Sequence, residues 1–248
     1  RIAMSNRICF ILPAFNEGES IYQLILEMYA AVPKNTLIVV IDDSPDNITE
    51  SHCHRAFEDS GWEKENWEIL RNPKKSGRGN AVRLGFIHAR QDPTINCFVE
   101  MDSDGSHSPE MALKVASRIP AVDFCIGSRY MPTSQITGWS MQRRLFSRLI
   151  NFFLRRIFGC EISDWTNGLR AYSRKAVEVI TSRDAHTHGF IYLSEQAVIL
   201  SNKKYKYDQI PIIFRERIAG KSSVTWRELL NSIVGVYRIY RSRHSLRK

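Results

Sequence analysis

The sequence predicts an α/β fold, a mostly parallel sheet with helices on both faces, on three observations. Short β-branched runs alternate with amphipathic stretches up to about residue 130, the pattern that places crossover helices between parallel strands. Polar punctuation falls at the carboxyl ends of those runs, where such sheets bind ligands. With 248 residues, 43% of them apolar, the chain can bury one sizeable core. One globular domain over 1–248 follows, with no linker, low-complexity segment or internal repeat.

The first strand is RICFILPAF, followed by a helical pattern over 19–31. TLIVVIDD precedes a helix over 47–60, and WEILRN precedes one over 79–90. NCFVEMD runs into SHSPE, where Ser108 is placed to cap and Pro109 to open a helix over 109–118. DFCIGSRY is a fifth strand. Four strand ends therefore converge on one crevice: Asn16 and Glu17, Asp42 and Asp43, Asp102 and Asp104, Ser128 and Arg129.

The second half changes character. Residues 139–158 form a helix with Arg144, Arg148, Asn151 and Arg155 along one stripe. Leu145, Phe146, Leu149, Ile150, Phe152, Phe153 and Ile157 fill the opposite arc. Residues 224–241 repeat the scheme with Trp226, Leu229, Leu230, Ile233, Tyr237 and Tyr240. An apolar arc with a charged back suits any surface helix. A wide aromatic arc set against arginine alone also suits an interfacial helix at an anionic membrane.

Charge is unevenly placed. Residues 139–160 carry five arginines and no acids, and residues 215–248 carry nine Lys/Arg against two acids. The two segments hold +12 of a chain whose total is +9, which implies a localised anionic partner: a membrane surface, phosphate groups or nucleic acid. Cys9, Cys53, Cys97, Cys125 and Cys160 lie far apart without a C-x-x-C pair, as expected of reduced thiols in a cytosolic setting. His52, Cys53 and His54 point in different directions and lack a second ligand pair, which argues against zinc. No apolar run reaches the roughly 18 residues that cross a bilayer, and no signal peptide opens the chain, so a soluble or peripheral protein is expected.

Two carboxylates spaced D-x-D at a strand end, Asp102 and Asp104, can hold Mg2+ or Mn2+ against a substrate's phosphates. Asp42 and Asp43 precede the turn composition Ser44-Pro45-Asp46-Asn47, and a carboxylate there can accept hydrogen bonds from a nucleobase or ribose. KKSGRGNAVRLGF sets two glycines before a helix with Lys74, Lys75 and Arg78 close by, able to approach phosphate. It matches neither the P-loop nor the dinucleotide fingerprint, which excludes those kinase and dehydrogenase readings.

Taken in order, LPAFNE, VIDDSPDN, KSGRGNAVRLGF, MDSDGSHSPE, GSRY, SDWTNGLRAYSRK and IPIIFRERIAGKSS resemble the family 2 glycosyltransferases. The similarity is to the branch of dolichol-phosphate mannose synthase and other polyprenyl-phosphate glycosyltransferases, over roughly residues 8 to 224. The resemblance implies a GT-A (Rossmann-like) fold with a nucleotide-sugar and metal half over 8–130, an acceptor half over 131–223 and a basic amphipathic helix over 224–248. It implies an inverting, Mg2+- or Mn2+-dependent transfer of a hexose from a GDP- or UDP-sugar to a polyprenyl or dolichyl phosphate. The place implied is the cytosolic face of a membrane, with a membrane-spanning partner subunit left open and no nucleic acid as partner.

Carried residue by residue, the resemblance implies that Pro13, Phe15, Glu17, Asp43, Lys75, Asp102 and Ser103 bind the nucleotide-sugar. Asp102, Asp104 and Ser106 would form the metal shell. Arg129, Arg143, Ser147 and Lys221 would grip the acceptor phosphate, and Asp104, Arg129 and Arg217 would act in catalysis. Two anionic reagents need fixed cations between them. A lipid phosphate, with a second pKa of about 6, is already its own nucleophile near neutral pH. The chain departs from the family's usual pattern at Trp165, Asn167, Leu169, Leu193 and Lys221-Ser222-Ser223, around the sugar and phosphate pockets, so mannose, glucose and an amino sugar all stay open. Transfer to a sugar hydroxyl would need a base, for which Asp164 is the candidate. A non-catalytic basic protein that binds nucleotide-sugar or nucleic acid is the alternative of a different class.

Overall fold

The computed structural model describes residues 7–72, 77–182, 191–216 and 234–241. The elements run β1 (Arg7–Ala14), α1 (Glu19–Ala31), β2 (Leu37–Asp42), α2 (Ile48–Ser60), β3 (Trp67–Arg71), α3 (Arg78–Ala89), β4 (Ile95–Glu100), α4 (Pro109–Ala116) and β5 (Phe124–Ser128). They continue β6 (Gln135–Ile136), α5 (Met141–Phe158), β7 (Arg170–Ser173), α6 (Arg174–Thr181), α7 (Tyr192–Asn202), β8 (Tyr207–Pro211) and β9 (Ile213–Phe214). Residues 234–241 are helical.

Seven strands form one sheet in the order β3-β2-β1-β4-β7-β5-β8, and β6 pairs with β9 in a second, two-stranded sheet. Within the larger sheet β7 alone runs antiparallel, wedged between β4 and β5. Side-chain alternation along β1 divides the core in two. Cys9 and Ile11 face a cluster with α3, α6 and α7, while Phe10 and Leu12 face one with α1, α2 and α4. Both faces of β2 are buried, as a strand covered by helices on each side requires. Helix α3 lies hard on the sheet at Gly85, where a Cβ would stand 2.6 Å from the Ile11 side chain.

Local signals end the helices as the sequence suggests. The Ser108 hydroxyl accepts from the Met111 amide with Pro109 in the first turn of α4, and Gly61 and Gly159 close α2 and α5 in the left-handed conformation. Ser140 caps α5 by accepting from the Arg143 amide.

Helix α5 departs from an ordinary surface helix. Its buried residues are Asn151 and Leu154. Met141, Leu145, Phe146, Leu149, Phe152 and Phe153 are exposed, the first of them by 84%. Asn151 docks the helix: its side-chain oxygen accepts from the Trp165 amide at 2.6 Å, while its amide donates to the Ser147 carbonyl. The helix thus seats Asn151 and Leu154 inward, packs Ile150 and Phe158 against the core, and leaves most of its apolar arc exposed. In the C-terminal segment Tyr237 and Tyr240 are also exposed and Ile239 is buried; Trp226, Leu229, Leu230 and Ile233 lie outside the described residues.

Candidate active site

The carboxyl ends of β1, β2 and β3 build one wall of a crevice. Asp42 is spent on structure, accepting from the Ser44 amide at 2.9 Å and from Arg71 at 2.6 Å. Its neighbour Asp43 is buried at the same strand end and accepts from the Asn72 side-chain amide at 3.0 Å. The β1 loop meets this turn through the Asn16 amide, which donates to the Ser44 hydroxyl at 2.8 Å. Pro13 is half-buried and Phe15 exposed, and Glu17 accepts from the Ser20 hydroxyl. The strand ends therefore bring Pro13, Phe15, Glu17 and Asp43 together; Lys75 lies outside the described residues.

After β4 the chain alternates. Ser103 points inward, its hydroxyl donating to the Pro13 carbonyl at 2.8 Å, while Asp102 and Asp104 remain half-buried on either side of it. Asp104 accepts from the Ser106 amide at 3.0 Å, across a turn with Gly105 at φ 76. Ser106 is buried, and its carbonyl accepts from the Arg215 amide. Two carboxylates of alternate residues at one strand end fit a hard divalent cation. No group of three His, Cys, Asp or Glu residues is arranged for a metal among the described residues, so much of such a cation's coordination would fall to phosphate and water oxygens.

The opposite wall is made by β5, the segment before α5 and the segment before β7. Arg129 is buried and paired with Asp164, Nε to Oδ2 at 2.7 Å and Nη2 to Oδ1 at 2.8 Å, and its amide also donates to Oδ2. Burial alone would raise the Asp164 carboxyl; Arg129 and these hydrogen bonds hold it below the usual carboxylate range instead. The Arg129 guanidinium also lies 5.2 Å from the Trp139 ring and 5.4 Å from the Phe214 ring. Arg143, in the first turn of α5, stacks on the other part of this cluster, 4.1 Å from the Trp139 ring, and pairs with Glu216 at 3.0 Å. Ser147, one turn further on, accepts from the Tyr130 hydroxyl at 2.6 Å. Arg129, Arg143 and Ser147 are thus neighbours around Trp139 and Tyr130; Arg217 and Lys221 lie outside the described residues.

Several residues of the site carry no local sequence signal. Glu100 is fully buried two residues before Asp102 and accepts from the Tyr172 hydroxyl at 2.7 Å and from the Tyr192 hydroxyl. Arg78, read from the sequence as a phosphate-approaching cation, turns inward to Asp102 and Glu100 instead. His107 is fully buried with neither ring nitrogen hydrogen-bonded, its Nε2 3.9 Å from Asp102 and its ring edge-on to Phe214. Burial lowers the His107 pKa to about 4 even though Asp102 pulls it upward. The pattern of SHSPE marks a helix start, which conceals the histidine inside it.

Residues 9–181 match the profile of glycosyl transferase family 2. The chain belongs to that family. This family 2 glycosyltransferase is 29% identical over 222 residues to a polyprenol monophosphomannose synthase of Mycolicibacterium smegmatis, covering 89% of this chain and 82% of that one. It is 28% identical over 232 residues to an undecaprenyl-phosphate mannosyltransferase of Micrococcus luteus, covering 94% and 93%. The fold is shared with glucosyl-3-phosphoglycerate synthase from Mycobacterium tuberculosis, at a TM-score of 0.67 and 19% identity over 97% of this chain and 80% of that one. Structures of that synthase contain UDP with Mn2+ or with Mg2+. The expected GT-A architecture is therefore the one observed.

Proposed function

We propose that this glycosyltransferase moves a hexose from a nucleoside diphosphate sugar to a polyprenyl or dolichyl phosphate at the cytosolic face of a membrane. The observation that carries the choice of acceptor is the engagement of Asp164. Both of its oxygens are held by Arg129 in a buried pair, so the residue best placed to deprotonate a sugar hydroxyl is committed to structure. A phosphate acceptor needs no such base, because its oxygen is already anionic. The two mannosyltransferases that share most of this chain's length act on polyprenyl phosphates by name, which supports the same acceptor class and makes mannose the first sugar to test.

In this reading Asp43 and the β1 loop hold the nucleotide, and Asp102 and Asp104 would hold Mg2+ or Mn2+. That cation, when bound, neutralises the leaving diphosphate. Arg129 is balanced by Asp164, so it orients the acceptor side without adding net charge. Arg143 can exchange its exposed pair with Glu216 for an acceptor phosphate. The phosphate oxygen forms its bond to the anomeric carbon as the bond to the diphosphate breaks, inverting that carbon, and the residues named contribute position and charge.

The outward arc of α5 supports the place of reaction. Six large apolar side chains face away from the core, next to five arginines without an acid in residues 139–160, which matches the headgroup region of an anionic bilayer. No helix among the described residues is long and apolar enough to cross a membrane. The test is incubation with a panel of GDP- and UDP-sugars, a short-chain polyprenyl phosphate and Mn2+. Product from at least one donor is expected; no product from any donor rejects the proposal.

A further inference from the structure

The inward turn of Arg78 has no role in holding a donor or an acceptor. It is the first residue of α3, and its guanidinium is consumed by the protein on every side. Nε donates to Asp102 Oδ1 at 2.7 Å, Nη1 to Glu100 Oε2 at 3.2 Å and to the Tyr192 hydroxyl, and Nη2 to the Gly168 carbonyl at 3.2 Å. Its side chain is 11% exposed. One cation thus lies between two carboxylates of the same strand end, with the segment before β7 and the start of α7 as its other walls.

We infer that Arg78 is a positioning residue for the cation site: it takes Asp102 Oδ1 out of play, fixes the carboxylate's rotamer and leaves Oδ2, 3.9 Å from His107 Nε2, as the oxygen it does not bind. The inference rests on the reading of Asp102 and Asp104 as metal ligands. Without Arg78, the fully buried Glu100 and the half-buried Asp102 would face each other with no cation between them, and Asp102 would be free to swing away. With it, the carboxylate is held by a charge-assisted bond of fixed direction. The packing guards the same contact. A Cβ on Gly168 would stand 2.4 Å from Arg78 Nη2 and 3.0 Å from Asp102 Oδ1, so that position has room only for hydrogen while the clamp is closed. A Cβ on Gly79 would likewise stand 2.9 Å from the Tyr192 ring, which keeps the start of α3 close enough for Arg78 to reach.

The test measures Mn2+ affinity by the loss of the free-ion electron paramagnetic resonance signal, with GDP and with UDP present, alongside thermal unfolding. Wild-type protein is expected to bind. Arg78→Met should bind about 10- to 100-fold more weakly, the range for removal of a group that orients a metal ligand, and Arg78→Lys should fall between, since an ammonium reaches Asp102 but not all four partners. Gly168→Ala leaves every charge in place yet displaces the guanidinium, and should weaken Mn2+ binding as well. In the double variant Gly168→Ala should add less to Arg78→Met than it costs alone, because the guanidinium it displaces is gone and only its 3.0 Å approach to Asp102 Oδ1 remains. Folded Arg78→Met, Arg78→Lys and Gly168→Ala with wild-type Mn2+ affinity would overturn the inference; should Arg78→Met fail to fold, the other two decide it. Wild-type protein that takes up no Mn2+ with either nucleotide removes the metal reading itself, and the positioning role with it.

Discussion

The strand-end crevice and helix α5 both reverse the usual distribution of polarity, in opposite senses. The crevice draws charges inside: Arg129 with Asp164, and Arg78 with Glu100, are enclosed by the fold, and the half-buried Asp102 joins the second pair. Helix α5 sends apolar side chains outside, with Phe146, Phe152 and Phe153 more than half exposed. Buried charge is costly unless paired, and exposed aromatic clusters are uncommon on a surface that meets only water. The crevice resolves its cost internally, by pairing each cation with a carboxylate. Within the described residues the apolar arc of α5 stays exposed. The difference separates a region that fixes charges in place from one that, under the proposed function, would meet a membrane surface.

The largest effect expected from breaking the crevice is at Asp104. Its carboxylate is half-buried and engaged by the Ser106 amide at the turn, so Asp104→Ala should remove little packing while lowering turnover more than about a hundred-fold. Thermal unfolding near that of wild type together with lost turnover would place Asp104 on the reacting side of the crevice. Retained full activity would refute its metal role.

Next in size is Asp164. Asp164→Asn strips the charge from a buried pair and leaves Arg129 uncompensated, a loss of about 3–5 kcal/mol. Urea unfolding measures it. The stability loss is expected with either acceptor; a base for a hydroxyl acceptor would in addition lose turnover per folded molecule, which is the readout that separates the two acceptor chemistries.

How much of this was legible follows the same division. The alternation of strand and helix placed β1 to β5 and α1 to α4 within about two residues, because each element's signal is local. The antiparallel β7 was not legible: it is four residues, Arg170–Ser173, defined by pairing with strands far away in sequence. The carboxylates at the strand ends were found because they follow apolar runs. The pairing of the cations is not legible, because their partners are distant: Arg129 and Asp164 are separated by 35 residues, Arg78 and Tyr192 by 114. Helix α5 shows a subtler loss. Periodicity groups residues onto a face but does not say which face turns inward, and Asn151, read as part of a polar stripe, is one of the two residues the helix buries.

His107 sharpens the account of the crevice through pH. Burial holds its folded pKa at about 4, against an ordinary value of 6.5. As pH falls below about 6.5 the unfolded chain takes up a proton that the folded chain refuses, so stability falls with pH down to about 4. With chelator present to keep cations away, this amounts to about 2 kcal/mol by pH 5. The measurement is the difference in unfolding free energy between pH 7 and pH 5 in wild type and in His107→Gln, which should lack that share of the loss. An identical difference in both proteins would show that the orphaned imidazole is not the group responsible.

The smallest effect on the fold, and the sharpest on the comparison, belongs to α5. Replacing Phe146, Phe152 and Phe153 with serine removes side chains that contribute little to the core, so unfolding should shift by no more than about 0.5 kcal/mol per site. Sedimentation with vesicles of anionic lipid should nonetheless fall to the salt-sensitive binding that the remaining arginines give alone. Turnover on a short-chain acceptor in solution should stay near wild type, while turnover on a long-chain acceptor in vesicles should fall. A second copy of the chain covering the arc would instead appear as a dimer that the serine variant dissociates. A membrane-spanning partner would appear as vesicle binding that needs that protein present. Vesicle binding unchanged by the three serines would remove the surface from α5 and leave its outward arc without a lipid role.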